Sequence, residues 1–245
     1  SLMREAVIVS TARTPIGRAY RGAFNNTTPQ ALAGHAIDHA VKRAGIDGGE
    51  VEDVVFGAAL QQGHQAGNIA RQAALRAGLP ITVSGMSLDR QCASGLMAIA
   101  TAAKQIVIDG MDVAIGGGVE SISMVQTPQM RVAPDKQLLA MHNDIYMPML
   151  QTAETVAKRY GIGREAQDAY GLQSQQRTAA AQAAGKFDDE IVPMAATMNV
   201  VDKVTKEVST KDVTLSKDEG NRADTTLEGL QALQPVVGPD GVITA

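Results

Sequence analysis

The single cysteine, Cys92, lies in Met86-Ser87-Leu88-Asp89-Arg90-Gln91-Cys92-Ala93-Ser94-Gly95, between an apolar run that reads as a strand and a long apolar-periodic segment that reads as a helix. A thiol in the first turn of a helix meets free N–H groups and the positive end of the helix dipole, which favour the thiolate, the nucleophilic form. Ala93, Ser94 and Gly95 behind it are small and leave room for a carbonyl or thioester to approach. Position alone also suits a second reading, in which Cys92 is a small buried hydrophobe at an ordinary strand-to-helix joint.

Other polar residues carry weaker signals. His35 and His39 stand four apart on one helix face beside Asp38, the spacing of a two-His metal site, but no second cluster supplies further ligands; the expectation is no metal. His64, in Gln61-Gln62-Gly63-His64, follows a strand and could face the end of the sheet where α/β ligand sites gather, although a surface-loop role is the plainer one. Gly116-Gly117-Gly118 lacks the G-x-G-x-x-G and Walker lysine patterns, so a nicotinamide or nucleoside triphosphate role is disfavoured. Glycines there suit close backbone approach beside the nucleophile.

The elements that position these residues follow from period and punctuation. Glu5–Ser10 and Asp53–Gly57 are short continuous apolar runs, as strands buried on both faces are. Thr28-Pro29 gives an N-cap and a first helical proline; Leu32, Ala36, Ile37, Ala40, Val41 and Ala44 recur at helical spacing up to Gly45. Asn68 caps a second helix carrying Ile69, Ala73, Leu75 and Ala77. Val83–Leu88 reads as a third strand, Cys92–Asp109 as a long helix with Leu96, Ile99, Ala100, Ala103, Ile106 and Val107 inward, and Asp112–Gly116 as a fourth strand. This is repeated βαβ organisation, hence an α/β fold. After Ser121 comes a loop-rich stretch to Met149, then helices over Thr152–Tyr160 and Glu165–Ala184, then short strands over Glu190–Pro193 and Asn199–Thr210, with a domain boundary expected near Ser121.

Composition bounds the rest. With 44% hydrophobic and 20% charged residues over 245 positions the chain can bury a core, and with 3% aromatics and no Trp that core is small and aliphatic. A net charge of −4 lacks the clustered Lys and Arg of a nucleic-acid binder. One cysteine makes neither an intrachain disulfide nor a multi-Cys zinc site, and Ala6–Val9 is too short for a signal or membrane segment. Ser1-Leu2-Met3 reads as a cloning remnant, and the expected location is cytoplasmic.

Several motifs, in order, carry a resemblance. Ala12-Arg13-Thr14-Pro15-Ile16-Gly17, Gln91-Cys92-Ala93-Ser94-Gly95-Leu96, Gly116-Gly117-Gly118-Val119-Glu120-Ser121, Thr152-Ala153-Glu154, Arg164-Glu165-Ala166-Gln167-Asp168, Ser174-Gln175 and Gly185-Lys186-Phe187 together resemble the thiolase family. The resemblance implies a layered α/β fold whose mixed five-stranded-type sheet lacks its last strand, spanning residues 1–121 as an incomplete N-terminal catalytic half, with residues 122–245 as an α+β loop domain covering CoA and the C-terminal catalytic half absent. It implies acyl transfer between Cys92 and coenzyme A, with cleavage or formation of the C–C bond of a 3-ketoacyl-CoA. Coenzyme A is then a substrate, and no covalently bound cofactor is expected. Partners would be acyl-CoA or 3-ketoacyl-CoA, with no nucleic acid and no membrane, and the full-length parent would be a homodimer or homotetramer.

The resemblance also assigns Arg222 to the CoA nucleotide and Met149 to the pantetheine and acyl tunnel. Gly229 stands where relatives often place a serine that bonds the adenine, and Pro148 and Leu150 depart from the usual neighbours of that methionine. Acyl length stays open, with a hint against an acetoacetyl specialist. The activating His, the second Cys and the oxyanion-hole Asn of the family have no counterpart here, so the chain is expected to be inactive alone and to leave a sheet edge unpaired. Two rivals stand beside this reading: a ketoacyl synthase-like condensing enzyme, and a non-catalytic CoA-binding or interaction module.

Overall fold

The structure, a computed structural model, describes residues 3–130 and 132–244; Ser1, Leu2, Arg131 and Ala245, and with them part of the N-terminal remnant, lie outside the described residues. The chain forms two compact units, residues 1–131 with 189–220 and residues 132–188 with 221–245.

In the first unit, α1 (Pro29–Ala44) starts as its sequence dictates: the Thr28 hydroxyl accepts from the Ala31 N–H, Pro29 occupies the first turn, and Gly45 closes the helix at φ 69°. The chain continues through β1 (Asp53–Gly57), α2 (Ile69–Arg76), β2 (Ser84–Leu88), α3 (Ser94–Lys104), a π-helical turn over Gln105–Asp109, β3 (Ala114–Gly118) and α4 (Ile122–Val125). The sheet is parallel in the order β2-β1-β3, so the central strand is the one buried at all five positions. Val54 and Phe56 face α1 and α2, against Ala33, Ile37, Val41, Ala70, Ala73 and Ala74. Val55 faces the opposite layer, against Ala98 and Ala102 of α3. By length and composition Gln91–Asp109 is apolar enough to cross a membrane, but here α3 lies against β1 and β3. An antiparallel hairpin, β4 (Met194–Val201) and β5 (Val208–Leu215), packs Met194 against Ala23 and Phe24. It replaces the short strands expected at Glu190–Pro193 and Asn199–Thr210: β4 begins after Pro193, and the second stretch holds the end of β4, the turn and the start of β5.

Three expectations are corrected. Glu5–Ser10 is not a strand of the sheet: among the described residues its backbone has no ladder partner, and Val7, Ile8 and Val9 are 74–76% exposed. Between this segment and the outer edge of β3 runs a cavity of about 730 Å³, walled by Val7–Ser10, by Ala36, Ala40 and Ala44 of α1, by Ile99 and Ile106 of the long helix, and by Ile115 and Gly117. Second, the long helix begins at Ser94, two residues after Cys92, and its buried residues are Ser94, Ala98 and Ala102, followed by Gln105 in the π-helical turn; Leu96 is 74% exposed. Small residues take the sheet-facing positions because a Cβ on Gly116 would lie 2.7 Å from the Ile99 Cα, an approach that larger side chains would prevent. Third, Leu75 of α2 is exposed, and Ile69, Ala70, Ala73 and Ala74 form the buried face.

The second unit contains α5 (Lys136–Met141), α6 (Met149–Tyr160), α7 (Arg164–Ala183) and α8 (Leu227–Gln231). Gly161 at φ 66° separates α6 from α7, and Arg164 binds both carboxylate oxygens of the buried Asp168 one turn on. Arg164 also donates to the Leu230 and Leu233 carbonyls, tying α7 to α8, while the Glu154 carboxylate accepts from the Val242 and Ile243 N–H groups.

Candidate active site

The three parallel strands end together, Gly57 opposite both Leu88 and Gly118, and the chain leaving β2 turns directly into α3. Cys92 sits in that turn, exposed, at the carboxyl end of the sheet where open α/β folds bind ligands. The turn is tightly built. Gln91 adopts φ 48°, a left-handed conformation that costs a non-glycine residue roughly 1–2 kcal/mol. Its N–H donates to Asp89 Oδ1 at 2.7 Å, and its carbonyl accepts from the Ser94 hydroxyl at 2.6 Å and from the Ser94 N–H at 3.1 Å. The Ser94 oxygen in turn accepts the Arg90 N–H at 2.9 Å, and the Ala93 N–H donates to the Arg90 carbonyl. The segment containing the thiol is therefore fastened on both sides.

Glycines bring the helix start down onto the strand ends. A Cβ on Gly57 would lie 2.6 Å from Ser94 Cβ, with the Ser94 carbonyl carbon and oxygen closer still, and one on Gly118 would lie 3.2 Å from Gly95 Cα. The loop beyond β1 is held by Glu120, whose carboxylate accepts from the Ala59 and Leu60 N–H groups and from Gln65 Nε2 at 2.6 Å. Gln65 is fully buried, and its Oε1 accepts the Ser121 N–H, so β3 and the loop after β1 form one hydrogen-bonded frame. His64 lies on this loop, exposed, and among the described residues no side chain hydrogen-bonds to Cys92 Sγ.

A second polar cluster fixes the loop after Ser10. Arg13 binds Glu190 and, with both terminal nitrogens, Asp218; Asp218 also accepts the Ile16 N–H, and Glu219 accepts from the Arg18 and Ala23 N–H groups. Hydrogen bonding from Arg13 holds the Asp218 carboxyl below its ordinary range, against the opposing effect of burial, and Asp218 raises Arg13. The His35 and His39 rings lie 4.6 Å apart, and His35 Nε2 hydrogen-bonds to the Pro193 carbonyl at 3.1 Å, a tie between α1 and the approach to β4.

Arg222 and Met149 belong to the second unit. Arg222 is exposed, in a loop anchored to α7 by Gln175, whose Oε1 accepts from the Arg222 N–H and from Asn221 Nδ2. Met149 is the exposed first residue of α6. Gly229 donates its N–H to the Thr226 hydroxyl that caps α8. Residue type and spacing alone do not mark Asp89, Gln91, Ser94, Gln65 and Glu120 as structural agents. Glu120 stands inside a motif already singled out, whereas glutamine carries no left-handed preference that would have marked Gln91.

Comparison with known proteins gives concordant results. The family described as the thiolase N-terminal domain matches residues 6–245. A 3-ketoacyl-CoA thiolase of Bacillus subtilis (strain 168) is 42% identical over 243 residues, covering 99% of this chain and 62% of that protein. A beta-ketoadipyl-CoA thiolase of Pseudomonas aeruginosa is 38% identical over 263 residues, covering 100% and 62%. Among solved structures, the Bacillus anthracis acetyl-CoA acetyltransferase superposes with a TM-score of 0.80 at 36% identity, covering 99% of this chain and 61% of that one. The chain thus spans about three fifths of the length of these relatives.

Proposed function

Because the chain belongs to the thiolase family through its N-terminal domain, we propose that it supplies the acyl-carrying half of a thiolase, an acyltransferase acting on 3-ketoacyl-CoA. The observation that carries the reading is an exposed thiol on a fastened, strained turn at the carboxyl end of a parallel sheet. The Cys92 thiolate attacks C3 of a 3-ketoacyl-CoA and the C2–C3 bond breaks. Its electron pair leaves with the departing acetyl-CoA, which takes up a proton at C2. The thiol of a second CoA then displaces the acyl group from Cys92 Sγ, and condensation is the reverse. Covalent capture divides one difficult exchange into two easier steps. In this reading residues 1–121 are the catalytic half, residues 122–245 cover CoA, Arg222 meets the CoA nucleotide, and Met149 lines the acyl passage. The protein works in the cytoplasm as a homo-oligomer.

The proton transfers are assigned to polypeptide outside the portion of a thiolase that this chain spans, since among the described residues no acid or base hydrogen-bonds to Cys92 Sγ. The cavity beside β3 supports the same assignment. Its two long walls, Ala6–Ser10 and the outer edge of β3, present unpaired backbone, and its floor and roof are apolar helices, which is the setting of one further strand apolar on both faces. The proposed occupant is a strand from that remaining part of the thiolase polypeptide.

The test is thiolysis of acetoacetyl-CoA and of a longer 3-ketoacyl-CoA by the 245-residue chain, by the chain co-expressed with the remaining part of a thiolase polypeptide, and by the Cys92→Ser variant of each. Activity is expected only in the co-expressed wild type. Turnover by the chain alone refutes the dependence on further polypeptide, and turnover by a Cys92→Ser protein refutes Cys92 as the acyl carrier. The lack of a base beside Cys92 also favours a second reading, CoA binding without acyl exchange, which predicts silence in every arm.

A further inference from the structure

The turn before α3 is closed by a side chain that bonds backwards. Thr28, Asn68, Asp135 and Thr226 cap their helices by accepting a backbone N–H from the first turn, whereas Ala93 at the start of α3, like Ser121, Pro148 and Gly163 at the starts of α4, α6 and α7, makes no such bond. Ser94, the first residue of α3, instead turns its hydroxyl backwards. Its proton goes to the Gln91 carbonyl and its oxygen accepts the Arg90 N–H, so one buried hydroxyl, 4% exposed, spans the two residues that precede Cys92. Gln91 is the residue held at φ 48°. Of the other non-glycine residues with positive φ among those described, Asn68 is of a type that tolerates the left-handed region, and Tyr20 and Lys206 lie in loops remote in sequence from the thiol.

We infer that Ser94 is a positioning residue for the nucleophile: its hydroxyl, assisted by Asp89 on the Gln91 N–H, holds Gln91 in the left-handed region and thereby keeps Cys92 against the N-terminus of α3. Without the hydroxyl the Arg90 N–H loses its acceptor and the Gln91 carbonyl keeps only the Ser94 N–H, and Gln91 relaxes towards negative φ. That rotation swings Cys92 away from the start of α3 and from the carboxyl end of the sheet. The inference rests on the reading of Cys92 as nucleophile, but its mechanism is confined to six consecutive residues, Asp89 to Ser94, whose contacts are all within one unit.

Cys92 is the only thiol, so its reaction with iodoacetamide reads the turn directly, without CoA and without turnover. Ser94→Ala is expected to slow alkylation about two- to fivefold at neutral pH, the scale of a helix-terminus interaction with a charge. Asp89→Ala, an exposed change that leaves the core untouched, is expected to slow it in the same direction by less. The deciding variant is Ser94→Ala with Gln91→Asn. Asparagine tolerates the left-handed region, so the second change is expected to recover most of the lost rate although it restores no hydrogen bond to Arg90. Thermal melting of each variant is followed in parallel. Melting temperatures that fall while alkylation rates stay at the wild-type value overturn the inference, as does a double variant that stays as slow as Ser94→Ala. A chain that loses alkylation on Ser94→Ala, yet never acylates in the co-expressed protein, refutes the acyl-transfer reading and leaves the positioning role standing.

Discussion

Replacing Gly57 with alanine tests whether the end of β1 and the start of α3 form one packed unit. The added Cβ would lie 2.6 Å from Ser94 Cβ, and its nearest neighbours are the carbonyl carbon and oxygen of Ser94, which are backbone and cannot rotate aside. An ordinary carbon–carbon contact is about 3.5 Å, so the helix start has to retreat by about 1 Å. Overpacking of this kind costs roughly 1–3 kcal/mol, and the upper value applies where backbone must move. At about 2–4 °C per kcal/mol for a domain of this size, the melting temperature falls by roughly 6–12 °C. Gly95→Ala is the control, one residue further along the same backbone: nothing lies within 4 Å of its Cβ, and alanine is the better helix former by roughly 0.5–1 kcal/mol. The two variants are compared by thermal melts and by Cys92 alkylation. Gly57→Ala is expected to melt lower and to change the alkylation rate, with Gly95→Ala melting at or above wild type. A Gly57→Ala protein with wild-type melting refutes the close approach. One that melts lower but alkylates normally refutes the link between that approach and the thiol.

Two pH dependences follow from the polar clusters. Arg13 holds Asp218 below its ordinary value of 3.8, so the stability from this carboxylate is complete above that value and is lost as the pH falls through the lowered one. Asp218→Asn is expected to lower stability by about 1.5–3 kcal/mol at pH 7 and to converge with wild type in acid, as read from urea midpoints; parallel curves refute the role. His39 is lowered from 6.5, first by burial and then by His35. Its contribution is therefore complete above about pH 6.5 and lost as the pH falls through the lowered value. Urea midpoints between pH 7.5 and 5 are expected to decline less steeply in His39→Gln, and an unchanged slope refutes the assignment.

What the sequence disclosed was local. Thr28, Pro29 and Gly45 delimit α1 because capping and fixed φ act within a few residues, and Asp53–Gly57 is buried throughout as its unbroken apolar run requires. The inward face of α3 was misjudged because hydrophobicity favours Leu96 and Ile99, whereas the glycines of β3 draw in Ala98 and Ala102. Glu5–Ser10 has the composition of a buried strand, but composition does not name a strand's neighbour. At the candidate site, Cys92 and its small followers were legible from residue type. The left-handed Gln91 and the backward bond of Ser94 were not, since both arise from a fit between strand ends and helix start that only the folded chain defines.

The gap between Ala6–Ser10 and β3 also bears on the order in which such a protein is made. If the strand that enters it is translated after the residues on both sides, Ala6–Ser10 waits for its neighbour until that later strand has been made. Sequence-distant pairings of this kind carry a high contact order and close slowly. During that interval Val7, Ile8 and Val9 stay available to other nascent chains, so chaperone demand, rather than final stability, would govern the yield of soluble protein.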